Sequence, residues 1–325
     1  MQKLRVAILG AGGVVGKTYL HLLKNHPYFA ITYAASSVRS IGECIQGHIL
    51  QCPDDINAIK DAADIVFSCL PKKAADTLEK LLQKAGLAVF TNASSHRLLK
   101  DTALVIPEIN GEKILTSKNA PLIAKPNCSI QSILLSLYPL HREYTLKKLQ
   151  VTSLQSVSGA GKSLSAAEIT DNVIPWIAGE EEKAVAETYK ILDCTFPFSI
   201  SCMRIPTLHG HMAQISASFE KKPSLKNVVE LWDTFRGYPQ LHNLPSAPKK
   251  PVHYLEEIDR PQIRLDRDRE QGMAVSVGRL KKSPLFDISF CALAHNTLRG
   301  AAGGGVLSAE LYYHAHYVMQ DLQLL

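Results

Sequence analysis

A cysteine at the start of a helical pattern is the residue of this chain best placed for covalent chemistry. Cys128 follows a short apolar run at 121–124 and the turn residues Pro126 and Asn127, and the helical pattern of 129–141 begins directly after it. The first N–H groups of a helix have no partner within the helix and carry the positive end of its dipole, which favours a thiolate. We therefore predict that Cys128 is a nucleophile. The alternative is a buried structural cysteine at a strand-to-helix corner.

An arginine and two histidines stand together later in the chain. Arg204, His209 and His211 fall where one strand pattern, 200–205, gives way to the next, 212–219. Two histidines without a third ligand nearby do not make a zinc site, so an acid–base role is the better interpretation. A thiolate, an acid–base group and a nicotinamide cofactor together would serve a reaction in which an acyl thioester forms and a hydride moves.

The N-terminal stretch predicts a dinucleotide site. A continuous apolar strand at 4–9 is followed by a glycine-rich turn, Gly10-Ala11-Gly12-Gly13-Val14-Val15-Gly16, and then by an amphipathic helix through residue 23. Glycines in such a turn let the backbone approach a pyrophosphate, which then binds at the helix N-terminus. We assign cofactor contacts here to Gly10, Gly12, Gly13, Val14 and Val15.

The end of the second strand pattern, 30–34, favours NADP over NAD. Residues 35–40 contain no Asp or Glu, whereas NAD-binding folds place a carboxylate there for the ribose 2′-hydroxyl. Ser37, Arg39 and Ser40 offer hydroxyls and a guanidinium instead, which suit a 2′-phosphate. We predict that these three residues bind NADP, with a solvated polar loop as the alternative.

The elements around these residues indicate an α/β protein of two domains. Alternating strand and helix patterns up to residue 128 predict a doubly wound parallel sheet, with strands at 65–69, 87–91 and 103–106. From residue 149 the pattern alternates like an antiparallel strand as far as 158, and further strands are expected at 200–205, 212–219 and 286–292. We therefore expect a Rossmann-type domain formed by 1–128 and 296–325 and an α+β catalytic domain formed by 129–295. A closing helix, 306–319, follows a run of small residues that would let it pack closely.

Composition narrows the function classes. A net charge of +6 in 325 residues comes from scattered lysine pairs rather than basic blocks, which argues against nucleic-acid binding. The seven cysteines are odd in number and form no C-x-x-C pair, so we expect a reducing cytoplasm and no bound metal. No signal sequence and no apolar run of membrane-spanning length is evident, so we expect no membrane partner.

Nine sequence segments taken together resemble one enzyme family. They occur in this order: GAGGVVG, SSVRS, NASSHR, KPNCS, LQSVSGAGK, IPWIAGEEEK, RIPTLHGH, RLDRD and HNTLRGAAGGG. The chain resembles aspartate-semialdehyde dehydrogenases over nearly its whole length, and its GEEEK form is similar to the fungal and archaeal branch. This resemblance implies a Rossmann-type dinucleotide-binding domain and an α+β catalytic and dimerisation domain like that of glyceraldehyde-3-phosphate dehydrogenase. Two departures from the family are Gly12, where threonine is usual, and the lack of a lysine in 40–43.

The resemblance also implies roles for individual residues. Cys128 would be the nucleophile, Gln155 would position the substrate, and His211 would be the acid–base residue. His211 is chosen because the family's histidine stands seven residues after the carboxylate-binding arginine, whereas His209 stands at a position that is often acidic in relatives. The implied substrate contacts are Arg204 to the α-carboxylate, Glu180 to the amino group, and Lys183 and Arg97 to the phosphate. Asn127 is a further implied substrate contact. Further implied cofactor contacts are Ser158, Gly159 and Asn296, of which Asn296 would lie at the nicotinamide side.

The implied reaction is the NADPH-dependent conversion of L-aspartyl-4-phosphate to L-aspartate-4-semialdehyde and phosphate, in the biosynthesis of lysine, diaminopimelate, threonine and methionine. A homodimer or homotetramer is expected on the same basis. Two rivals share the thioester-and-hydride logic: malonyl-CoA reductase and N-acetylglutamyl-phosphate reductase. A further alternative is a non-catalytic dinucleotide-sensing protein, against which the presence of Cys128, Gln155 and His211 argues.

Overall fold

The chain folds into two compact units. The computed structural model describes residues 3–117, 120–161 and 164–318, without the side chain of Ala166. The first unit comprises the described residues within 1–126, 242–246 and 301–325, and the second comprises those within 127–241 and 247–300. The sequence-based boundaries differ from this division at a few positions, because 127–128 and 296–300 belong to the second unit and 242–246 to the first.

A parallel sheet forms the centre of the first unit. The strands of this unit are β1 (Leu4–Leu9), β2 (Phe29–Ala35), β3 (Cys44–Ile45), β4 (His48–Ile49), β5 (Ile65–Ser68), β6 (Ala88–Thr91), β7 (Ala103–Leu104) and β8 (Leu122–Ala124). The sheet has the order β2-β1-β5-β6-β8-β7, and β3 pairs with β4 in a separate hairpin. Strands β5 and β6 are buried along their whole length, as expected for a parallel sheet with helices on both faces.

Helices cover the sheet of the first unit. They are α1 (Val14–Leu22), α2 (Ile56–Ala62), α3 (Lys72–Lys84), the short α4 (Pro107–Asn110) and α5 (Glu112–Leu115), and a C-terminal helix (Gly303–Tyr313). The C-terminal helix is buried throughout, and a β-carbon on Gly305 would lie 1.9 Å from the Tyr19 hydroxyl oxygen of α1. The small residues therefore allow the close packing expected of them. The helix starts at Gly303 rather than at 306, and Met319, its expected end, lies outside the described residues.

A mixed sheet forms the centre of the second unit. The elements of this unit are α6 (Ile130–Tyr144), β9 (Leu146–Gln155), α7 (Ala166–Ile169), α8 (Glu180–Leu192), β10 (Phe198–Arg204), β11 (His211–Phe219), α9 (Leu225–Thr234), the short α10 (Tyr238–Leu241), β12 (Val252–Leu255), the short α11 (Ile263–Asp266) and α12 (Arg269–Gly272), β13 (Val275–Lys282) and β14 (Ile288–Ala294). The strand order is β10-β9-β11-β14-β13-β12. Strands β9, β11, β14 and β13 run antiparallel to their neighbours in that series, while β10 and β12 are parallel additions at the two edges.

The two faces of this mixed sheet differ. Residues of β9 and β11 alternate between buried and more exposed positions, so that Leu149, Val151 and Ile215 are buried while Gln150 and Gln214 are exposed. Helices α6 and α8 pack on the buried side. The period of two in the sequence thus corresponds to a sheet with one covered face and one open face.

The strand ends bring the chemistry-bearing residues together. The strand pattern expected to reach residue 158 ends at Gln155, because the chain turns into a short 3-10 segment at Val157–Ala160. Gln155 pairs with Arg204 in the parallel ladder, and Leu154 pairs with Met212 in the antiparallel one. The last residues of β9 and β10 and the first residue of β11 therefore meet at one end of the sheet.

Strands β12 and β13 were not foreseen from the sequence. Among the described residues, none of the helices has the length and apolar character that crossing a bilayer requires.

Candidate active site

A short loop before α6 presents Cys128. The loop is held by Asn127, whose side-chain oxygen accepts from the Ser129 backbone N–H at 3.0 Å and from the Ser129 hydroxyl at 3.1 Å. Two carboxylates of α8 complete the grip: Glu180 Oε2 accepts from the Asn127 side-chain amide at 2.7 Å, and Glu187 Oε2 accepts from the Asn127 backbone N–H at 2.6 Å. The half-buried Cys128 therefore projects from a loop whose conformation is fixed on both sides.

The imidazole of His211 faces the sulfur of Cys128. Its Nε2 lies 3.3 Å from Cys128 Sγ, and its Nδ1 accepts from the Ser156 backbone N–H at 3.0 Å. Because Nδ1 is an acceptor, the neutral ring carries its proton on Nε2 and donates towards sulfur. Burial, and then the charge of Arg204, lower the pKa of His211 to about 3. His211 is thus a neutral donor that can stabilise a thiolate or an oxyanion beside it.

Arg204 is the cation of the site. It is the last residue of β10, its side chain is buried, and Nη1 donates to the Ser156 carbonyl oxygen at 2.8 Å. Burial lowers the pKa of the guanidinium, while the neighbouring Cys128 and Glu180 raise it. A β-carbon on Gly159 would lie 2.9 Å from Arg204 Nη1 and 3.1 Å from His211 Nε2, so a glycine there leaves room for both side chains.

Gln155 supplies an unused donor. Its side chain is 2% exposed, and its Nε2 is buried without a hydrogen-bond partner within the described part of the chain. Buried amide groups are nearly always paired, so a donor of this kind marks a place where a ligand atom is expected. It lies next to Arg204 in the sheet register.

Glu180 and Lys183 open helix α8. Gly179 precedes them in the left-handed conformation with φ of 65°, and the three glutamates that follow it favour the positive end of the helix dipole. Lys183 Nζ lies 3.8 Å from Glu180 Oε1, and the lysine side chain is 41% exposed. The Glu180 side chain is therefore held towards Asn127, whereas Lys183 is partly exposed.

Two of the residues expected to contact the cofactor, Ser158 and Asn296, form a hydrogen-bonded group in the second unit. Asn296 Oδ1 accepts from the Gly210 N–H at 2.8 Å, and Asn296 Nδ2 donates to the Ser158 hydroxyl at 2.8 Å. His209, the histidine not chosen as acid–base residue, has its Nδ1 3.0 Å from that same hydroxyl. His209 thus contacts the Ser158 hydroxyl, whereas His211 is the histidine that faces the Cys128 sulfur. Lys162, part of one family-like segment, lies outside the described residues.

The glycine-rich turn of the first unit fits a dinucleotide phosphate. Gly10 has φ of +86°, and a β-carbon on Gly16 would lie 2.1 Å from the Gly10 carbonyl oxygen, so both positions require glycine. Gly13 is the N-cap of α1 and supplies no side-chain cap, which leaves the first N–H groups of the helix available to an anion. A β-carbon on Gly12 would lie 2.7 Å from Ser36 Oγ, so a side chain at this position would require that hydroxyl to move. Val14 and Val15 begin the helix, and Val14 is exposed.

A polar turn follows β2, as the NADP prediction requires. Val38–Ser40 forms a 3-10 turn, the hydroxyls of Ser37 and Ser40 lie 2.9 Å apart, and Arg39 is exposed. Arg97, also in the first unit, has a buried side chain that donates to the Asn92 carbonyl oxygen at 2.8 Å. Hydroxyls and a guanidinium in this turn suit a phosphate group, and the next acidic residue is Glu43, whose backbone N–H donates to the Ser40 carbonyl oxygen at 3.1 Å.

Two contributors were not identified from the sequence. Glu187 holds the Cys128 loop, and Ser156 contacts both His211 and Arg204. Glu187 lies seven positions after Glu180, a spacing that returns to the same helix face and could have indicated it. For Ser156 the contacts come largely from the backbone, so its residue type gave little signal. Across the described residues, no group of three His, Cys, Asp or Glu side chains is arranged to hold a metal ion.

Comparison with known proteins gives consistent matches. Residues 5–117 match the family "Semialdehyde dehydrogenase, NAD binding domain", and residues 137–299 match "Semialdehyde dehydrogenase, dimerisation domain". The aspartate-semialdehyde dehydrogenase of Methanothermobacter thermautotrophicus is 37% identical, over 94% of this chain and 98% of the relative. The malonyl CoA reductase (NADP) of Metallosphaera sedula is 33% identical, over 97% of this chain and 98% of the relative.

A solved structure agrees with the sequence relatives. The crystal structure of aspartate semialdehyde dehydrogenase with NADP from Candida albicans has a TM-score of 0.85 and 32% identity, over 97% of this chain and 99% of that chain. The Rossmann-type and α+β architecture expected from the sequence is confirmed by these matches. Relatives of such identity and coverage show that this chain belongs to the aspartate-semialdehyde dehydrogenase family.

Proposed function

We propose that this enzyme reduces L-aspartyl-4-phosphate to L-aspartate-4-semialdehyde with NADPH, through a thioester on Cys128. The observation that carries the proposal is the 3.3 Å contact between Cys128 Sγ and His211 Nε2, with the Arg204 guanidinium buried beside them. Relatives that bear the name of this enzyme, at up to 37% identity over nearly their full length, support the choice of substrate.

The residues proposed to form the thioester, Cys128 and His211, belong to the second unit. The Cys128 thiolate attacks the acyl carbon, a C–S bond forms, and the bond from carbon to the phosphate oxygen breaks. The Nε2–H of His211 stabilises the thiolate before attack and can then donate to oxygen as charge develops there. The Asn127 loop, held by Glu180 and Glu187, keeps the sulfur in position to attack the acyl carbon.

Reduction and release complete the reaction. Bound NADPH would supply the hydride that converts the thioester carbonyl to a thiohemiacetal. His211 then protonates the thiohemiacetal oxygen and takes the proton back as the C–S bond breaks and the aldehyde leaves. The Gln155 amide, whose Nε2 has no hydrogen-bond partner among the described residues, would donate to an oxygen of the bound acyl group.

The charged residues of the site match an amino-acid substrate. The forked guanidinium of Arg204 suits the α-carboxylate, and the Glu180 carboxylate suits the ammonium group. Lys183 and Arg97 would bind the phosphate, and the partly exposed Lys183 ammonium could reach an incoming anion. A malonyl-CoA substrate would use Arg204 but has no ammonium group for Glu180, so we favour aspartyl phosphate over that alternative.

The first unit is proposed to hold NADP. The pyrophosphate would lie against the Gly10–Val15 turn at the N-terminus of α1, and the 2′-phosphate would contact Ser37, Arg39 and Ser40. Ser158, Gly159 and Asn296 of the second unit would meet the nicotinamide side. The Candida albicans relative was solved with NADP, which supports this choice of cofactor.

We also infer that the enzyme is a homo-oligomer that works in the cytoplasm in amino-acid biosynthesis. The open face of the mixed sheet carries exposed polar side chains, including Gln150, Ser199 and Gln214, which a second copy of the chain could cover. The matching family is named for dimerisation. A Gln214→Arg variant should weaken self-association in sedimentation equilibrium, whereas an unchanged molecular mass would argue against this face as the interface.

A reverse-direction assay tests the proposed reaction. The purified enzyme is given aspartate semialdehyde, inorganic phosphate and NADP, and formation of reduced cofactor is followed by its absorbance. Turnover that requires both phosphate and NADP is expected. Efficient turnover with malonate semialdehyde, CoA and NADP, and none with aspartate semialdehyde and phosphate, would show that the substrate is wrong although the thioester chemistry is right.

A further inference from the structure

A continuous line of polar atoms connects the buried His211 to the half-buried His209. His211 is 1% exposed and Ser156 is fully buried. His211 Nδ1 lies 3.2 Å from Ser156 Oγ, Ser156 Oγ lies 3.4 Å from Ser158 Oγ, and Ser158 Oγ lies 3.0 Å from His209 Nδ1. All four residues belong to the second unit. Nothing in the chemistry described above uses the hydroxyl of Ser156 or the ring of His209.

The hydrogen bonds along this line are compatible with one direction of donation. Asn296 Nδ2 donates to Ser158 Oγ at 2.8 Å, so that oxygen already acts as an acceptor and its own proton is left for another partner. If His209 Nδ1–H also donates to Ser158, the Ser158 proton points to Ser156, and the Ser156 proton points to His211 Nδ1. The two outer links then each have one donor and one acceptor, while His211 Nδ1 accepts both from the Ser156 hydroxyl at 3.2 Å and from the Ser156 backbone N–H at 3.0 Å.

We propose that His209, Ser158 and Ser156 form a proton relay that serves Nδ1 of His211 while Nε2 of the same ring serves the substrate oxygen. This proposal rests on the proposed function, because it needs an oxygen that gains and loses a proton beside Cys128. Serine hydroxyls suit such a relay, since each one accepts a proton on one side and gives one up on the other.

The steps balance without any change in oxidation state along the relay. As hydride reaches the thioester carbon, the oxygen takes the Nε2 proton of His211. Ser156 passes its proton to Nδ1, which gives up the hydrogen bond that it accepted from the Ser156 backbone N–H. Ser158 passes its proton to Ser156, and His209 passes its Nδ1 proton to Ser158 and takes one up from solvent at Nε2. When the thiohemiacetal collapses, the oxygen returns its proton to Nε2 and the relay runs outward. The proton consumed by the overall reaction is taken up by the released phosphate.

The surroundings of His211 explain why a relay is needed. Burial and Arg204 lower its pKa to about 3, with smaller effects from His295 and His209, so an imidazolium at this position is strongly disfavoured. A ring that loses the Nε2 proton while it gains one at Nδ1 never becomes a cation. The 3.4 Å step between the two serines is the longest, so proton transfer is expected to wait there for the hydroxyls to approach.

The outer end of the relay reaches other titratable groups. The His209 ring stacks on His295 at 5.4 Å between centroids, and His295 Nε2 lies 3.7 Å from Asp268 Oδ1, whose side chain is 63% exposed. Arg267 donates to the His209 carbonyl oxygen at 3.0 Å. Burial and Arg267 lower the pKa of His209, while Asp268 raises it. His209 is therefore neutral at physiological pH. A neutral imidazole has one N–H that can give a proton and one nitrogen that can take a proton.

The test compares Ser156→Ala with Ser153→Ala. Both are buried serines of the same strand region, but the Ser153 hydroxyl has no hydrogen-bond partner among the described residues, and Ser156→Ala keeps the backbone contacts to His211 and Arg204. In the reverse assay, Ser156→Ala should lower kcat by roughly 10- to 100-fold, because one acid–base transfer is impaired. KM for aspartate semialdehyde and NADP should stay within about twofold, and the solvent deuterium isotope effect on kcat should increase. Ser153→Ala should match the wild type.

A second variant, His209→Ala, tests the relay even if the Ser156→Ala protein does not fold. His209→Ala should lose activity to a similar extent, and added imidazole should restore it, because a small base can enter the half-buried position and replace the ring. Imidazole should not rescue a folded Ser156→Ala. Wild-type kcat and isotope effect in Ser156→Ala, or a His209→Ala variant with normal kcat or no rescue, would overturn the relay alone. A wild type inactive towards aspartate semialdehyde would overturn the proposed function, and the relay with it.

Discussion

The site around Cys128 and the turn around Arg39 are built in opposite ways. At the first, the charged and polar groups Arg204, His211 and Asn127 are buried, and each is held by backbone or side-chain partners. At the second, Arg39 is exposed, and the Ser37 and Ser40 hydroxyls contact mainly each other. Groups that are fixed before the ligand arrives lose little freedom on binding, whereas an open turn is ordered by the ligand it meets. Substitutions in the buried site should therefore cost far more than those in the turn.

Loss of the sulfur nucleophile is expected to have the largest effect. Cys128→Ser should lower kcat by about 10⁴-fold or more, because an alcohol at this position is neither acidic enough nor nucleophilic enough to form the acyl intermediate. Thermal unfolding should be nearly unchanged. Cys194→Ser, a half-buried cysteine of the same unit, is the control and should keep wild-type turnover. Equal losses in the two variants would contradict the assignment of the nucleophile.

Arg204→Lys should have the next largest effect. The lysine keeps the positive charge but loses the fork that can hold a carboxylate and the Ser156 carbonyl oxygen at the same time. We expect a cost of about 2 to 4 kcal/mol, or roughly 30- to 1,000-fold in kcat/KM for aspartate semialdehyde. Arg236→Lys, which alters a helix-end arginine elsewhere in the unit, should leave kcat/KM unchanged. A similar kcat/KM for wild type and Arg204→Lys would remove Arg204 from substrate binding.

The buried His211 should make stability depend on pH. Its pKa is lowered to about 3 in the folded protein from an ordinary value of 6.5, so protonation favours the unfolded chain. The stability that depends on neutral His211 is complete above pH about 6.5 and is lost as the pH falls, at about 1.4 kcal/mol per pH unit. Urea unfolding at pH 7 and pH 5 should show a loss of about 2 kcal/mol from this group. His211→Gln should remove that part of the loss, and the exposed His21→Gln should not; equal pH dependence in all three proteins would contradict the prediction.

The smallest effect is expected in the open turn. Arg39→Ala should raise KM for NADPH by about fivefold, close to 1 kcal/mol, because one exposed charged hydrogen bond to the 2′-phosphate is lost. KM for NADH should not change, since NADH has no phosphate there. Lys24→Ala, another exposed cation of the first unit, is the control for nonspecific charge effects. A parallel rise for both cofactors would mean that Arg39 does not contact the 2′-phosphate.

The sequence predicted most reliably the structural features that depend on residues adjacent in the chain. The strand, glycine turn and helix at the N-terminus, and the position of Cys128 just before α6, follow from local patterns and were found where expected. Glu187 and Ser156 could not be found in this way, because their hydrogen bonds reach residues 60 and 55 positions away in the chain. Strands β12 and β13 were missed for a related reason: their pairing partners, rather than their own alternation, make them strands. The phosphate-binding roles of Lys183 and Arg97 are tested by no contact in the structure and remain predictions.

The most direct test of the account is a single turnover without phosphate. When excess aspartate semialdehyde and NADP are mixed with the enzyme, hydride transfer from the Cys128 thiohemiacetal should form about one NADPH per active site and then stop, because no phosphate is present to release the thioester. Intact-protein mass spectrometry should then find one aspartyl group per chain, carried by the peptide that contains Cys128. The account would be contradicted by a burst of NADPH in Cys128→Ser, or by a wild type that forms NADPH while no acyl group is bound to Cys128.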